Sequence, residues 1–344
     1  MQWGKQLENH QSKNKSIDSE IPVIDISGYF TGSIESKKKI AKEIDDAWKN
    51  IGFLVIAGHG ISDNLINRAH KVSREFYDLS NTEKSNYSTS PAIYRGYIAM
   101  GGLAAGNTLG KNTTAPDYRE MYTMSREHCD PSDSYYACEE GRRVFSPNIW
   151  PSQVPSFKET WLEYYENMES LSKTLMHLFA LALDLPENWF DAKLDKHMSV
   201  MAVTNYPDQE DEPMENQLRC GAHTDYGALT ILKSEDKPGG LEVLGKDGRW
   251  LTVKMIPGTF IINLGDLMAR WTNDRWVSNL HRVANPPKEK AMSSRRQSLI
   301  YFFHPNYDAQ IECLPTCVAD SPPKYPPVRA REYLLSKIIR QQET

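Results

Sequence analysis

The stretch GAHTDYG, residues 221–227, places His223 and Asp225 two positions apart in what reads as extended chain. Side chains at i and i+2 of a strand project from the same face, so this imidazole and carboxylate can meet at one point. A further histidine, His281 in SNLHRV (278–283), can join them from another strand. The sequence therefore predicts that these three side chains converge on one metal ion.

Two imidazoles and one carboxylate on one side of an ion leave the opposite coordination positions open for O2 and a substrate, as in non-haem Fe(II) oxygenases. Taken alone, a His-x-Asp pattern is a weak signal, because a surface pair or a core histidine bonded to its neighbour gives the same letters. A binding module with a structural zinc is a further alternative. Structural zinc sites are usually closed and rich in thiolates, and no cysteine belongs to this predicted cluster.

The chain around this stretch is rich in short β-type runs that begin after Pro186. Gly, Pro, Asn and Asp separate the runs, which predicts a β-sandwich or barrel with helices packed outside. The runs cover residues 200–206, 228–233, 241–244, 250–254, 259–264 and 297–304. A long apolar stripe at helical spacing precedes them and predicts a helix from Ser156 to Leu185.

Downstream of the predicted metal site, the stretch SRRQSLIYFF (294–303) places Arg296 and Ser298 on one face of a strand. A guanidinium offers a fixed fork of donors to a carboxylate, and the hydroxyl adds another donor. The pair suits the distal carboxylate of a diacid such as 2-oxoglutarate. A surface arginine on an edge strand is the alternative.

Upstream, the stretch TNYP (204–207) ends another predicted strand. Tyr206, together with Asn205, is in a position to donate hydrogen bonds to an acid bound at the metal. A tyrosine that only packs against the end of a barrel is an equally good interpretation.

The N-terminal half predicts less regular structure. Residues 1–20 contain few apolar groups and are expected to form a flexible tail. Residues 21–140 predict an N-terminal region of helices, strands and long loops, and residues 141–344 a helix-backed core with a C-terminal helix, all in one compact catalytic unit. The long loops supply the candidate substrate residues Tyr94, Arg95 and Arg119. Arginines that pair with a glutamate to hold a loop are the alternative for both guanidiniums.

Composition narrows the possible partners and the compartment. The net charge of −5 and the lack of a long basic run argue against a nucleic-acid partner. The polar N-terminus lacks the apolar core of a secretory signal, and no stretch reaches the roughly 18 uninterrupted apolar residues of a membrane span. Five cysteines form no recognisable disulfide or metal framework. We therefore expect a cytoplasmic, monomeric protein with a small-molecule substrate.

Together these segments resemble the isopenicillin N synthase-like branch of the 2-oxoglutarate/Fe(II)-dependent dioxygenases. The matching segments, from about Ile21 to Asn306, are IPVIDIS, GFLVIAGHGIS, YRGY, NYPDQ, GAHTDYGALTIL, GGLEVL, INLGDLMARWTNDRWVSNLHRV and SRRQSLIYFFHPN. The resemblance implies an α+β, mainly β fold with a double-stranded β-helix (jelly-roll) core flanked by helices. It also implies that His223, Asp225 and His281 bind iron. Arg296 and Ser298 would then bind the cosubstrate, with Tyr206 and Asn205 beside it, although the family more often has two consecutive tyrosines here.

The resemblance further implies an oxygenase that uses Fe(II), 2-oxoglutarate and O2. Such an enzyme oxidises an unactivated C–H bond of a natural-product or amino acid-like molecule, by hydroxylation, desaturation or oxidative cyclisation, and releases succinate and CO2. Asp225 argues against a halogenase, which lacks this carboxylate. An isopenicillin N synthase-type oxidase that needs no 2-oxoglutarate remains the alternative, because an Arg-x-Ser pair engages the substrate in that enzyme.

Overall fold

The computed structural model describes residues 21–88, 94–109, 115–319 and 321–342, so the predicted flexible tail, residues 1–20, lies outside the described residues. Within these ranges the helices are α1 (Ser27–Thr31), α2 (Ile34–Asn50), α3 (Asp63–Tyr77), α4 (Asn81–Ser85), α5 (Ser134–Ala137), α6 (Glu139–Val144), α7 (Phe157–Ala182), α8 (Asp266–Trp271) and α9 (Ala330–Gln342). The strands are β1 (Val23–Asp25), β2 (Phe53–Ala57), β3 (Gly96–Ile98), β4 (Glu120–Ser125), β5 (Val200–Tyr206), β6 (Cys220–His223), β7 (Leu229–Ser234), β8 (Leu241–Leu244), β9 (Trp250–Thr252), β10 (Phe260–Leu264), β11 (His281–Val283), β12 (Arg296–Phe303), β13 (Gln310–Ile311) and β14 (Val328–Arg329).

Two sheets form the centre of the molecule. The larger has the order β1-β2-β10-β7-β12-β5-β4-β3, and the smaller has the order β6-β11-β8-β9. They face one another through apolar side chains such as Phe53 and Ile261 from the larger sheet and Val243 from the smaller. This arrangement confirms the predicted α+β, mainly β fold with a jelly-roll core flanked by helices.

Helix α7 covers the outer face of the larger sheet. Its residues Trp161, Met168 and Leu175 recur every seven positions and are buried, because that spacing keeps side chains on nearly the same helical face. One face of β12 packs into the same cluster through Leu299, Tyr301 and Phe303. The opposite face of β12, which begins at Arg296, therefore points into the space between the sheets.

The N-terminal region and the core share one hydrophobic cluster. Ile44 and Val72 of the first region belong to the same buried cluster as Leu178 and Leu334. Within the stretch that the sequence predicted as long loops, β4 adds to the larger sheet beside β5, with Glu120 opposite Asn205. This strand extends the sheet toward the residues predicted to contact a substrate.

Candidate active site

The three predicted metal ligands lie together at one end of the smaller sheet. His223 is the last residue of β6, His281 is the first residue of β11, and the two are direct partners in the antiparallel pairing. Asp225 follows His223 by two residues, and its Oδ1 lies 3.8 Å from His223 Nε2 and 3.7 Å from His281 Nε2. One ligand atom from each residue falls within 4.8 Å of the others.

Backbone carbonyls orient both imidazoles. His223 Nδ1 lies 2.8 Å from the Gly221 carbonyl, and His281 Nδ1 lies 3.1 Å from the Asn279 carbonyl. A carbonyl can only accept, so each Nδ1 carries the proton and each Nε2 has its lone pair available to a metal ion that Asp225 Oδ1 would share. A hydrogen bond at the far ring nitrogen fixes ligating histidines in just this way.

Asp225 is oriented by bonds to a single one of its carboxylate oxygens. Oδ2 accepts from Thr230 Oγ1 and from Asn263 Nδ2, both at 2.6 Å. Burial alone would raise the pKa of Asp225, but the charges that His281 and His223 carry when protonated, together with these two donors, lower it overall. The carboxylate is thereby held ionised, with Oδ1 directed at the two Nε2 atoms.

The donor set fits Fe(II). It consists of two imidazole nitrogens and one carboxylate oxygen on one side of a common point, the arrangement that suits iron with open positions. His281 and Asp225 are 7% and 5% exposed, so an ion here would be largely shielded from bulk water. Among the described residues, no fourth His, Cys, Asp or Glu joins the cluster.

Arg296, Ser298 and Tyr206 share one face of the larger sheet. Arg296 lies directly opposite Tyr206 in the pairing of β12 with β5, with its guanidinium carbon 5.8 Å from the tyrosine ring centre. Ser298 Oγ lies 2.7 Å from Ser234 Oγ, which also accepts a hydrogen bond from Arg296 Nη2. Burial raises the pKa of Tyr206 to about 12, so its hydroxyl stays protonated and able to donate.

The Arg296 guanidinium is buried and forms no ion pair with the residues that the structure describes. It is 2% exposed and donates to the neutral Gly239 carbonyl at 2.6 Å. Its Nε has no hydrogen-bond partner, and among the described residues no carboxylate lies within ion-pair distance of it. A buried charge is costly unless an opposite charge pairs with it. The guanidinium therefore fits the distal carboxylate of 2-oxoglutarate.

Asn205, predicted to lie beside the cosubstrate, does not lie with Arg296 and Tyr206 in the structure. Asn205 lies opposite Gln297 on the other face of the sheet, where its side-chain nitrogen donates to Glu120 Oε1 at 2.8 Å. Neighbouring residues of a strand project to opposite faces, so a sheet that points Tyr206 inward must point Asn205 outward. Arg295 lies on the same outer side and pairs with Asp78 at 2.6 Å.

Tyr94, Arg95 and Arg119 line a cavity of about 610 Å³ that also reaches His223 and Asp225. Arg119 pairs with Asp117 at 2.8 Å rather than with a glutamate. Arg95 donates to the carbonyls of Tyr94 and Val144, at 3.0 and 2.9 Å. The structure thus brings all three predicted substrate residues to the cavity, with each guanidinium already bonded to protein oxygen.

Several residues of the site were not foreseen from the sequence. Thr230 and Asn263 come from separate strands, β7 and β10, and no local pattern connects them to Asp225. The cavity wall contributed by α6 and α9 was also missed; it comprises Arg142, Arg143, Val144, Arg331, Leu334, Leu335 and Ile338. The signal for α9 was the i, i+3, i+4, i+7 spacing of its last four members.

Comparison with known proteins places the chain in a family. Residues 21–153 match the family described as non-haem dioxygenase in morphine synthesis N-terminal, and residues 198–305 match the 2OG-Fe(II) oxygenase superfamily. The chain is 34% identical to the 2-oxoglutarate-Fe(II) type oxidoreductase hxnY of Emericella nidulans, over 90% of this chain and 87% of the relative. It is 33% identical to the homoarginine-6-hydroxylase 2-ODD-C23 of Glycine max, over 87% and 89% of the two chains.

Solved structures agree with this placement. A full-length Neurospora crassa protein, solved in complex with alpha-KG and thymine, superposes with a TM-score of 0.80 at 30% identity, covering 93% of this chain and 96% of that one. Fold and relatives define a non-haem iron oxygenase with a jelly-roll core. More particularly, the chain belongs to the 2OG-Fe(II) oxygenase superfamily and is a dioxygenase that uses Fe(II) and 2-oxoglutarate. These relatives do not favour the oxidase that works without 2-oxoglutarate.

Among the helices of the described residues, none has the length and apolar character to span a membrane.

Proposed function

We propose that His223, Asp225 and His281 hold the iron of this oxygenase, and that Arg296, Ser298 and Tyr206 bind its 2-oxoglutarate. The observation that carries the proposal is the convergence of the three ligand atoms within 4.8 Å. The buried guanidinium of Arg296, which has no carboxylate partner among the described residues, supports the cosubstrate assignment. Asn205 is left out of the site because it lies on the other face of the sheet.

When bound, iron and 2-oxoglutarate supply O2 activation that is coupled to release of succinate and CO2. The residues of the chain supply position and environment. Thr230 and Asn263 hold Asp225 in one orientation, and the Gly221 and Asn279 carbonyls hold the two imidazoles. Apolar side chains along the cavity, among them Met121 and Phe302, exclude water from the reacting end of the substrate.

We further propose that the cavity of about 610 Å³ binds the substrate, a natural-product or amino acid-like small molecule. Its volume lies within the roughly 300–1,000 Å³ usual for small-molecule sites. Tyr94, Arg95 and Arg119 would contact it, and a C–H bond would be hydroxylated, desaturated or joined in a ring. Among the relatives, one is named for homoarginine and another was solved with thymine.

We also propose the family branch, the kind of partner and the compartment of the protein. The motif order supports the isopenicillin N synthase-like branch. The net charge of −5 supports small-molecule substrates over nucleic acid. We further propose that the protein is a monomer that does not act on a membrane. All five cysteines are free, as expected of a protein in the reducing cytoplasm.

The proposal is tested by anaerobic reconstitution with Fe(II), followed by measurements of iron content and succinate release. We expect the wild type to bind an equimolar amount of iron and Asp225→Ala to bind almost none. His128→Ala, which changes an exposed histidine outside the site, serves as the control. Full iron binding by Asp225→Ala would refute the ligand assignment. Substrate oxidation without consumption of 2-oxoglutarate would refute the cosubstrate assignment.

A further inference from the structure

The lining of the substrate cavity is strongly asymmetric in charge. Among the described residues that line it, five are arginines and the only carboxylate is Asp225, which belongs to the proposed metal site. The arginines are Arg95, Arg119, Arg142, Arg143 and Arg331. Such a lining favours an anion over a neutral or cationic guest.

The two deeper arginines already serve the protein. Arg119 forms an ion pair with Asp117, whose other oxygen accepts from the Gly221 backbone amide at 2.8 Å. Arg95 is 4% exposed and holds the Val144 carbonyl. The charge of Arg119 is therefore balanced by Asp117, and Arg95 is held by backbone carbonyls, so an anion that enters from solvent is better bound by more accessible guanidiniums.

Arg142 of α6 and Arg331 of α9 provide those guanidiniums. Arg142 is exposed and donates to the uncharged Ala137 carbonyl. Arg331 lies 3.2 Å from Glu140, a carboxylate that also pairs with Arg329 at 3.0 Å. Glu140 is shared between two guanidiniums and does not line the cavity. Arg331 can therefore still donate hydrogen bonds to an anion in the cavity.

Apolar side chains adjoin this arginine pair. On α9, Leu334, Leu335 and Ile338 follow Arg331 at i+3, i+4 and i+7, so all four lie on one face of the helix. Further apolar lining comes from three strands of the larger sheet and from the segment just before β5, namely Met121, Val200, Phe302 and Met198. The cavity thus combines an anion-binding pair with an apolar surface that leads to the metal site.

We propose that the substrate is a small carboxylic acid with an apolar body, and that Arg142 and Arg331 bind its carboxylate. This inference rests on the proposed function, since it assigns the substrate class of the same cavity. Guanidinium–carboxylate hydrogen bonds are charge-assisted and about twice as strong as neutral ones. The apolar body would lie along Leu334, Leu335 and Phe302, with its oxidised C–H bond at the end away from the carboxylate.

The test measures binding to the enzyme loaded with Mn(II) and N-oxalylglycine, an inert stand-in for 2-oxoglutarate. The probes are 4-phenylbutyrate, octanoate and cyclohexanecarboxylate, each compared with its primary amide by calorimetry. We expect at least one acid to bind about tenfold or more tightly than its amide, the ratio that 1.4 kcal/mol produces. The preference for the acid should fall about tenfold in Arg142→Gln and in Arg331→Gln.

Arg340→Gln is the matched control, because it makes the same change at an exposed position of α9 that does not line the cavity. It should keep the preference for acids. The inference is overturned if none of the acids binds, if the amides bind as tightly, or if Arg340→Gln weakens binding as much as Arg331→Gln. Failure of N-oxalylglycine itself to bind would instead count against the proposed cosubstrate site, so the two failures are distinguishable.

Discussion

His281 lies directly opposite His223 across the β6–β11 pair, with the two ring centres 4.4 Å apart. The pairing of two strands, and not the ion, brings these imidazoles together. Each ring is also tied to a backbone carbonyl two residues before it. We therefore expect the metal-free protein to retain its fold, and the predictions below treat binding and stability as separable.

Thr230→Val should weaken metal binding without unfolding the protein. The substitution removes one of the two donors to Asp225 Oδ2 and leaves Asn263 in place. Loss of such a supporting hydrogen bond typically costs about 10–100-fold in metal affinity. Titration with Co(II) as a spectroscopic probe measures the change. Thr259→Val, which removes a hydroxyl that donates to the Ile256 carbonyl, should bind metal normally, and equal affinities in the two variants would contradict the role given to Thr230.

Arg296→Lys should raise KM for 2-oxoglutarate by about tenfold or more, because lysine cannot present a two-pronged donor to a carboxylate. Succinate release at varied 2-oxoglutarate concentration gives the value. The neighbouring Arg295→Lys makes the same chemical change on the outer face, where Arg295 pairs with Asp78. An unchanged KM in Arg296→Lys, or an equal rise in both variants, would exclude Arg296 as the anchor.

Gly240→Ala should impair 2-oxoglutarate binding through Arg296. A Cβ at this position would lie 2.8 Å from Arg296 Nη1, the far end of a flexible side chain, so the guanidinium would shift while the backbone stays in place. We expect a higher KM for 2-oxoglutarate with unchanged iron content and little change in Tm. A normal KM would show that the site tolerates displacement of the guanidinium.

Acidification should destabilise the protein through Glu169. Burial opposes ionisation of this carboxyl, but hydrogen bonds from His197 and Arg126 lower its pKa from 4.5 to about 2 overall. A depressed carboxyl pKa stabilises the fold above the unfolded value, and that stabilisation is lost as pH falls from about 4.5 toward about 2. Thermal unfolding at stepped pH should show a shallower loss in Glu169→Gln than in the wild type. Glu166→Gln, an exposed site on the same helix, should behave as the wild type.

Much of the site follows from strand alternation alone. The i, i+2 spacing of His223 and Asp225, and that of Arg296 and Ser298, is sufficient to predict which side chains share a face. The prediction that Asn205 lies beside the bound acid with Tyr206 was wrong, because the same rule places neighbouring residues on opposite faces, as the structure shows. The sequence could not reveal that His281 pairs with His223, since register between distant strands depends on the whole fold.

The cavity wall was harder to predict for the same physical reason. Arg331 and Leu334 lie more than one hundred residues from Asp225 along the chain, and only tertiary packing brings α9 to the cavity. Strand β4 lies in the region predicted to hold long loops, and the sequence did not reveal it because its residues are buried on both faces and show no polar–apolar alternation. Residues that act through a neighbour, such as Asn263, carry no local signal at all.

Strand β12 joins the two halves of the site. It is hydrogen-bonded on both sides, to β5 and to β7, and carries Arg296 at its start and Phe302 near its end on the same face. Six strand residues span about 20 Å, so the separation between the anchor of the cosubstrate and the wall of the substrate cavity is set by a rigid element. Substitutions in α6 and α9, at the periphery, can therefore change which substrates bind. They leave the position of the residues that hold the cosubstrate unchanged.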